Sequence, residues 1–98
     1  MLSATYQGKV VAEAKEEDII HIEGNSYFPP DSIKKEFFSP SDLHTTCHWK
    51  GEASYYNVVD DSGKNLAWYY PEPKEGSVET VGKDLTNFVA FYPQVAVG

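Results

Sequence analysis

Residues 45–56, TTCHWKGEASYY, hold the only cysteine of the chain together with a histidine, a tryptophan, a lysine and two tyrosines; a second histidine, His44, stands just upstream. Side chains of these types at this spacing could do three kinds of chemistry. A metal centre would draw on His44-x-x-Cys47-His48 for two or three donors, with His21 or a carboxylate completing the set. A closed zinc site needs four ligands, and with one cysteine and three histidines in the whole chain the supply is too thin. We therefore expect neither a metal nor another cofactor. A thiolate nucleophile would use Cys47, with His44 or His48 as the base, Asp42 or Glu52 as the orienting acid and Lys50 as a nearby positive charge. Neighbouring side chains on a strand point to opposite faces, so an extended stretch over 46–50 turns Cys47 away from His48. A lone cysteine commonly serves as a small buried hydrophobe, and we expect that role for Cys47.

The third possibility is a pocket. Lys50 is embedded between aromatics, whereas the other lysines sit in strand edges, turns or charged runs. With Trp49, Tyr55, Tyr56, Trp68 and Tyr70 it would form an aromatic cleft around one cation, with Cys47 at the edge. Rings supply apolar area while the ammonium and phenols orient a small anionic or planar ligand. Gly51 lets backbone approach where a side chain would block it.

The elements that must position these residues are mostly strands. Residues 8–14 read as a first strand and 18–23 as a second, joined as a hairpin through the charged turn 15–18 and closed by Gly24-Asn25. Tyr27-Phe28-Pro29-Pro30 turns the chain, because proline cannot donate to a ladder. Asp31 or Ser32 could cap one helical turn over 33–36, and Phe37-Phe38 could end it or begin a strand. Residues 39–42 read as a loop. The clearest hairpin is 52–59 with 65–70 across the turn 60–63. Its arms carry large side chains on both sides, so both of its faces should be covered. A loop at 71–76 and a last strand at 87–92, stopped by Pro93, complete the chain. The expectation is a mainly β domain with one or two short helices, spanning 1–98 as one unit.

Read in order, several short stretches resemble a known family, the domain of unknown function 427. They are Tyr27-Phe28-Pro29, Pro40-Ser41, Thr46-Cys47, Lys50-Gly51, Ala53 with Tyr55-Tyr56, Trp68 with Tyr70-Pro71, and Val89-Ala90-Phe91-Tyr92, covering roughly residues 5–95. The resemblance implies a compact β-tent-like fold of two antiparallel sheets, similar to that of methionine sulfoxide reductase B and of the ligand-binding domain of cereblon. It implies no established biochemistry. The family usually places proline after the cysteine, where this chain has His48.

Composition narrows the partners. The chain has 98 residues, 8 basic against 15 acidic, and a formal charge of −7. That balance repels phosphate backbones and anionic lipid, which argues against nucleic acid and membrane surfaces. No apolar run has the length of a membrane span, and the first residues lack the basic end and apolar block of a signal peptide. The cytoplasm is the expected location. The functional expectation is a small cytosolic binding domain whose aromatic cleft takes a small molecule or a peptide element, or a regulatory module that docks on a protein partner. The alternative is an enzyme using Cys47 with His44 or His48.

Overall fold

The computed structural model describes residues 1–60 and 63–98. It is mainly β. The strands are β1 (Leu2–Tyr6), β2 (Lys9–Ala14), β3 (Ile20–Ile22), β4 (Asn25–Tyr27), β5 (Phe38–Cys47), β6 (Gly51–Val58), β7 (Ala67–Tyr69), β8 (Val89–Phe91) and β9 (Ala96–Val97). One short helix, α1, spans Glu75–Val81, and 3-10 turns span Glu16–Asp18, Pro30–Ser32 and Lys35–Phe37. Hydrogen bonding sorts the strands into three sheets where two were expected: β2-β1-β9, β3-β4 and β5-β6-β7-β8.

The expected pairing of residues 8–14 with 18–23 is not the one formed. Lys9–Ala14 instead pairs backward with Leu2–Tyr6, and Ile20–Ile22 pairs forward with Asn25–Tyr27. The physical reason lies in the turns. Gln7-Gly8 and Glu23-Gly24 each put two consecutive residues at positive φ, 51° and 77° in the first and 53° and 81° in the second. Two such residues match the twist of a tight antiparallel hairpin. The charged run after β2 makes only a 3-10 turn, which carries the chain from one sheet to the next.

Residues 39–42, expected as a loop, lie inside β5: Ser39 faces Asn57 and Pro40 faces Tyr56. Proline is tolerated there because β5 is the edge of its sheet. The register shifts between Pro40 and His44, so Ser41, Asp42 and Leu43 bulge opposite Tyr55. The expected helical turn over 33–36 is displaced into the two 3-10 turns flanking Ile33. Ile33 itself is extended and bridges to Ala12. Ser32 Oγ donates to the Pro29 carbonyl at 2.6 Å and caps nothing. Phe37 ends a turn and Phe38 opens β5.

The hairpin of the later half forms as expected, with Ser54, Tyr55 and Tyr56 facing Tyr69, Trp68 and Ala67. Of the expected turn 60–63, residues 61 and 62 lie outside the described residues. Residues 71–74 form a loop as expected, but Glu75 and Gly76 already belong to α1. The last strand is shorter than 87–92, since Asn87 sits at φ 63° and ladder pairing starts at Val89.

Both faces of the four-stranded sheet are buried. On one, Val58, Ala67, Val89 and Phe91 meet Val11 and Phe28. On the other, Ala53, Tyr55, Tyr70 and Ala90 meet Ile20, Tyr27 and Leu85. Consecutive residues Tyr27 and Phe28, both fully buried, serve different clusters. Among the described residues no helix is long and apolar enough to cross a membrane.

Candidate functional site

The stretch that holds the reactive residue types is the β5–β6 hairpin end. Cys47 pairs with Gly51, which leaves His48, Trp49 and Lys50 as the connection. Extended backbone therefore ends at Cys47, short of the 46–50 stretch. Gly51 adopts φ +112°, and a Cβ there would stand 3.2 Å from the Glu72 carbonyl oxygen and 3.3 Å from the Lys74 nitrogen. The segment 72–74 lies across the connection as a strap: the Lys74 amide donates to the Lys50 carbonyl at 2.9 Å, and Lys74 Nζ donates to the His48 carbonyl at 2.7 Å.

So held, Lys50 points inward and is 6% exposed. Its Nζ donates to Glu23 Oε1 at 2.7 Å and stands 3.5 Å from the Tyr27 hydroxyl. Three ring centroids surround it, those of Trp49 at 5.1 Å, Tyr70 at 5.5 Å and Tyr27 at 5.9 Å, within the range of cation–π attraction. Burial works against the charge. The Glu23 hydrogen bond, the phenols of Tyr27 and Tyr70 and the Glu23 carboxylate together outweigh it, and the ammonium is held above its ordinary pKa. The Tyr70 phenol is pushed up to about 12 by burial and the neighbouring Tyr27, with Lys50 opposing.

Further rings extend the enclosure. Trp68 Nε1 donates to the Tyr27 hydroxyl at 3.2 Å, and the two rings meet edge to face at 6.2 Å. Tyr92 lies 4.8 Å from Trp68 and stacks on Tyr55 at 6.5 Å. The Tyr92 phenol is pushed up to about 12, first by its hydrogen bond with Tyr55, then by burial. The Tyr55 hydroxyl is 3.0 Å from Thr45 Oγ1.

Of the residues expected in the cleft, Trp49, Lys50 and Tyr70 meet directly, Trp68 joins them through Tyr27, and Tyr55 lies on the same face. Tyr56 does not join them. Strand alternation puts it on the opposite face, where it stacks on Tyr69 at 4.5 Å and meets Phe38 at 5.5 Å. Its phenol is raised by burial and by Tyr69. Glu23 and Tyr27 were missed by sequence reasoning, although Glu23-Gly24 between two short β-branched and aromatic runs is a hairpin-turn signal.

Cys47 packs against the edge of the Tyr27–Tyr70 cluster. His44 is on the other face, with Nδ1 3.2 Å from Ser54 Oγ and 4.0 Å from Glu52 Oε1. His48 lies in the connection, and among the described residues neither histidine hydrogen-bonds the thiol. His21 is engaged elsewhere, with Nε2 2.6 Å from Glu16 Oε1 and Nδ1 3.3 Å from Ser26 Oγ. Among the described residues no three of His, Cys, Asp and Glu gather as metal ligands.

Two open grooves mark the surface. One, of about 370 Å³, lies at the β5 bulge between Ser41, Asp42, Asn57 and Asn65. The other, of about 250 Å³, is lined by Gly24, Asn25, Ser26, Tyr92 and Pro93, and neither groove is lined by Glu23, Trp49, Lys50 or Tyr70. The family model described as "Domain of unknown function (DUF427)" matches residues 1–97. No curated protein matches the chain.

Proposed function

The chain belongs to the DUF427 family, and on that premise we propose a binding role: the enclosure around Lys50 takes a small molecule or a peptide element bearing an anionic group. The observation that carries this reading is the state of Lys50. A buried ammonium is costly unless paired, and this one has a single carboxylate partner, whose side chain is 57% exposed. The remaining surroundings are ring faces, which suit the apolar body of a planar ligand, and phenols, which can donate to its anionic group. Because its pKa is raised, the amine stays protonated in neutral water. It acts as a fixed cation and not as a nucleophile. Trp49, Lys50 and Tyr70 form the inner wall, Trp68 and Tyr55 extend it, and Tyr56 supports the sheet from behind.

The test is native mass spectrometry of the protein purified from its own cells, beside the Lys50→Met variant. Retention of an acidic small molecule or peptide by the wild type, and its loss from the variant, is the expected result. If Lys50→Met leaves every detected interaction intact, the cleft reading is wrong.

A further inference from the structure

The Glu23–Lys50 contact has features that a purely structural ion pair would not need. Glu23 occupies the first central position of a two-residue hairpin turn, with Ile22 and Asn25 as the flanking ladder pair. It sits at φ +53°, followed by Gly24 at +81°. That position favours asparagine, aspartate or glycine, so glutamate is the locally less stable choice. What glutamate adds is reach, which places its carboxylate on the ammonium.

The Tyr27 hydroxyl supplies an independent observation. Tyr27 is fully buried. Its two hydrogen-bond partners are Trp68 Nε1 at 3.2 Å and Lys50 Nζ at 3.5 Å. An indole N–H and an ammonium can only donate, so the hydroxyl accepts from both. Its own proton has no acceptor among the described residues. The enclosure thus holds an ammonium and a buried O–H donor, while among the described residues Glu23 offers its oxygen to the ammonium alone.

We propose that Glu23 is a tethered stand-in for the carboxylate of a ligand: the site recognises small aromatic or planar carboxylates, which displace Glu23 from Lys50. This inference rests on the binding role proposed above and specifies its ligand class. In the displaced state one carboxylate oxygen of the ligand accepts from Lys50 Nζ and the other accepts from the Tyr27 hydroxyl. The ring of the ligand lies against Trp49 and Tyr70. A monoanion matches the single cation, whereas a phosphate dianion would leave a second charge unpaired in an enclosure of rings. Glu23 is already largely in water while the Lys50 side chain is 8% exposed, so displacement swings Glu23 outward and admits the ligand from that side.

The experiment measures binding of benzoate, acetate and inorganic phosphate by tryptophan fluorescence, since Trp49 and Trp68 both border the site. Wild type is compared with Glu23→Gln, which keeps the side-chain length, and Glu23→Asn, which suits the turn and guards against loss of the fold. Removing a competitor that occupies the site most of the time raises apparent affinity by the inverse of the open fraction. Both variants should bind benzoate roughly tenfold or more tightly than wild type, acetate more weakly and phosphate least. Adding Lys50→Met to Glu23→Gln should abolish the gain. If the Glu23 variants bind no more tightly than wild type, or if phosphate outcompetes benzoate, the stand-in inference is overturned. A ligand retained by the wild-type protein would in that case leave the cleft reading standing. Absence of both binding and retention would remove the two together.

Discussion

Replacing Gly51 by alanine isolates the device that turns Lys50 inward. At φ +112° the backbone is outside the region open to residues with a Cβ, and holding an alanine there costs about 1–3 kcal/mol. The new Cβ would also stand 3.2 Å from the Glu72 carbonyl oxygen and 3.3 Å from the Lys74 nitrogen. Both are backbone atoms of the strap, so relief requires the strap to move. Moving it strains the 2.9 Å bond from the Lys74 amide to the Lys50 carbonyl, and a bond of that kind contributes about 1 kcal/mol. Together these give a loss of about 3 kcal/mol, which in a domain of this size lowers Tm by roughly 12–24 °C. Gly76→Ala is the control. It lies in the first turn of α1 with nothing within 4 Å of a built Cβ, and alanine there should leave Tm equal or slightly higher. The assay is thermal and urea denaturation of the three proteins side by side. If Gly51→Ala melts with the wild type, the strap does not constrain the connection and the account of how Lys50 is buried fails.

Two further predictions concern alkali and the thiol. The Tyr70 phenol rises from 10.0 to about 12 on folding and Lys50 is also raised, so both hold their protons more tightly in the folded state. The unfolded chain therefore releases them first; the stability linked to Tyr70 is complete below about pH 10 and lost as pH climbs through about 12, and that linked to Lys50 is lost at still higher pH. The unfolding free energy from urea titrations should fall across that window by an amount on the order of 2 kcal/mol for Tyr70, and Tyr70→Phe should flatten the slope; a flat wild-type profile would contradict it. For Cys47, the opposite-face placement of His44 predicts that His44→Ala leaves its alkylation rate by iodoacetamide unchanged, and that Cys47→Ala costs about 1 kcal/mol of packing. A thiol that slows markedly in the His44 variant would restore the Cys–His reading.

How much of this was legible in sequence depends on the length of each signal. The β6–β7 hairpin was readable because large side chains on both sides of both arms imply two covered faces, and two clusters do cover them. Lys50, Trp49 and Tyr70 could be grouped because lysine among rings is a local pattern. Tyr27 could not, since it reaches Lys50 across 23 residues and precedes a Phe-Pro-Pro run that reads only as a turn. Glu23 was passed over because it read as the last residue of a strand closed by Gly24-Asn25, although Glu23-Gly24 is itself the turn. Pro40 disguised an edge strand as a loop, because edge position is a tertiary fact. β9, two residues long, has no period to read.

The doubled tyrosines of β6 have a consequence for how the chain chooses its register. Sliding a strand by one residue exchanges its two faces. In most strands that exchange trades apolar for polar and is strongly disfavoured. Here it would trade Tyr55 for Tyr56, and across the ladder Trp68 and Tyr70 for Tyr69, ring for ring. The aromatic pattern is therefore degenerate: it says that both walls are aromatic without saying which tyrosine belongs to which. The degeneracy is broken at the ends of the strand. Gly51, paired with Cys47, pins one end, and the Asn65 amide donating to Asn57 Oδ1 at 3.1 Å pins the other. Part of the positional information that sends Lys50 into the enclosure thus resides in a glycine and two asparagines, residues that supply none of its surface, beside the buried Val58.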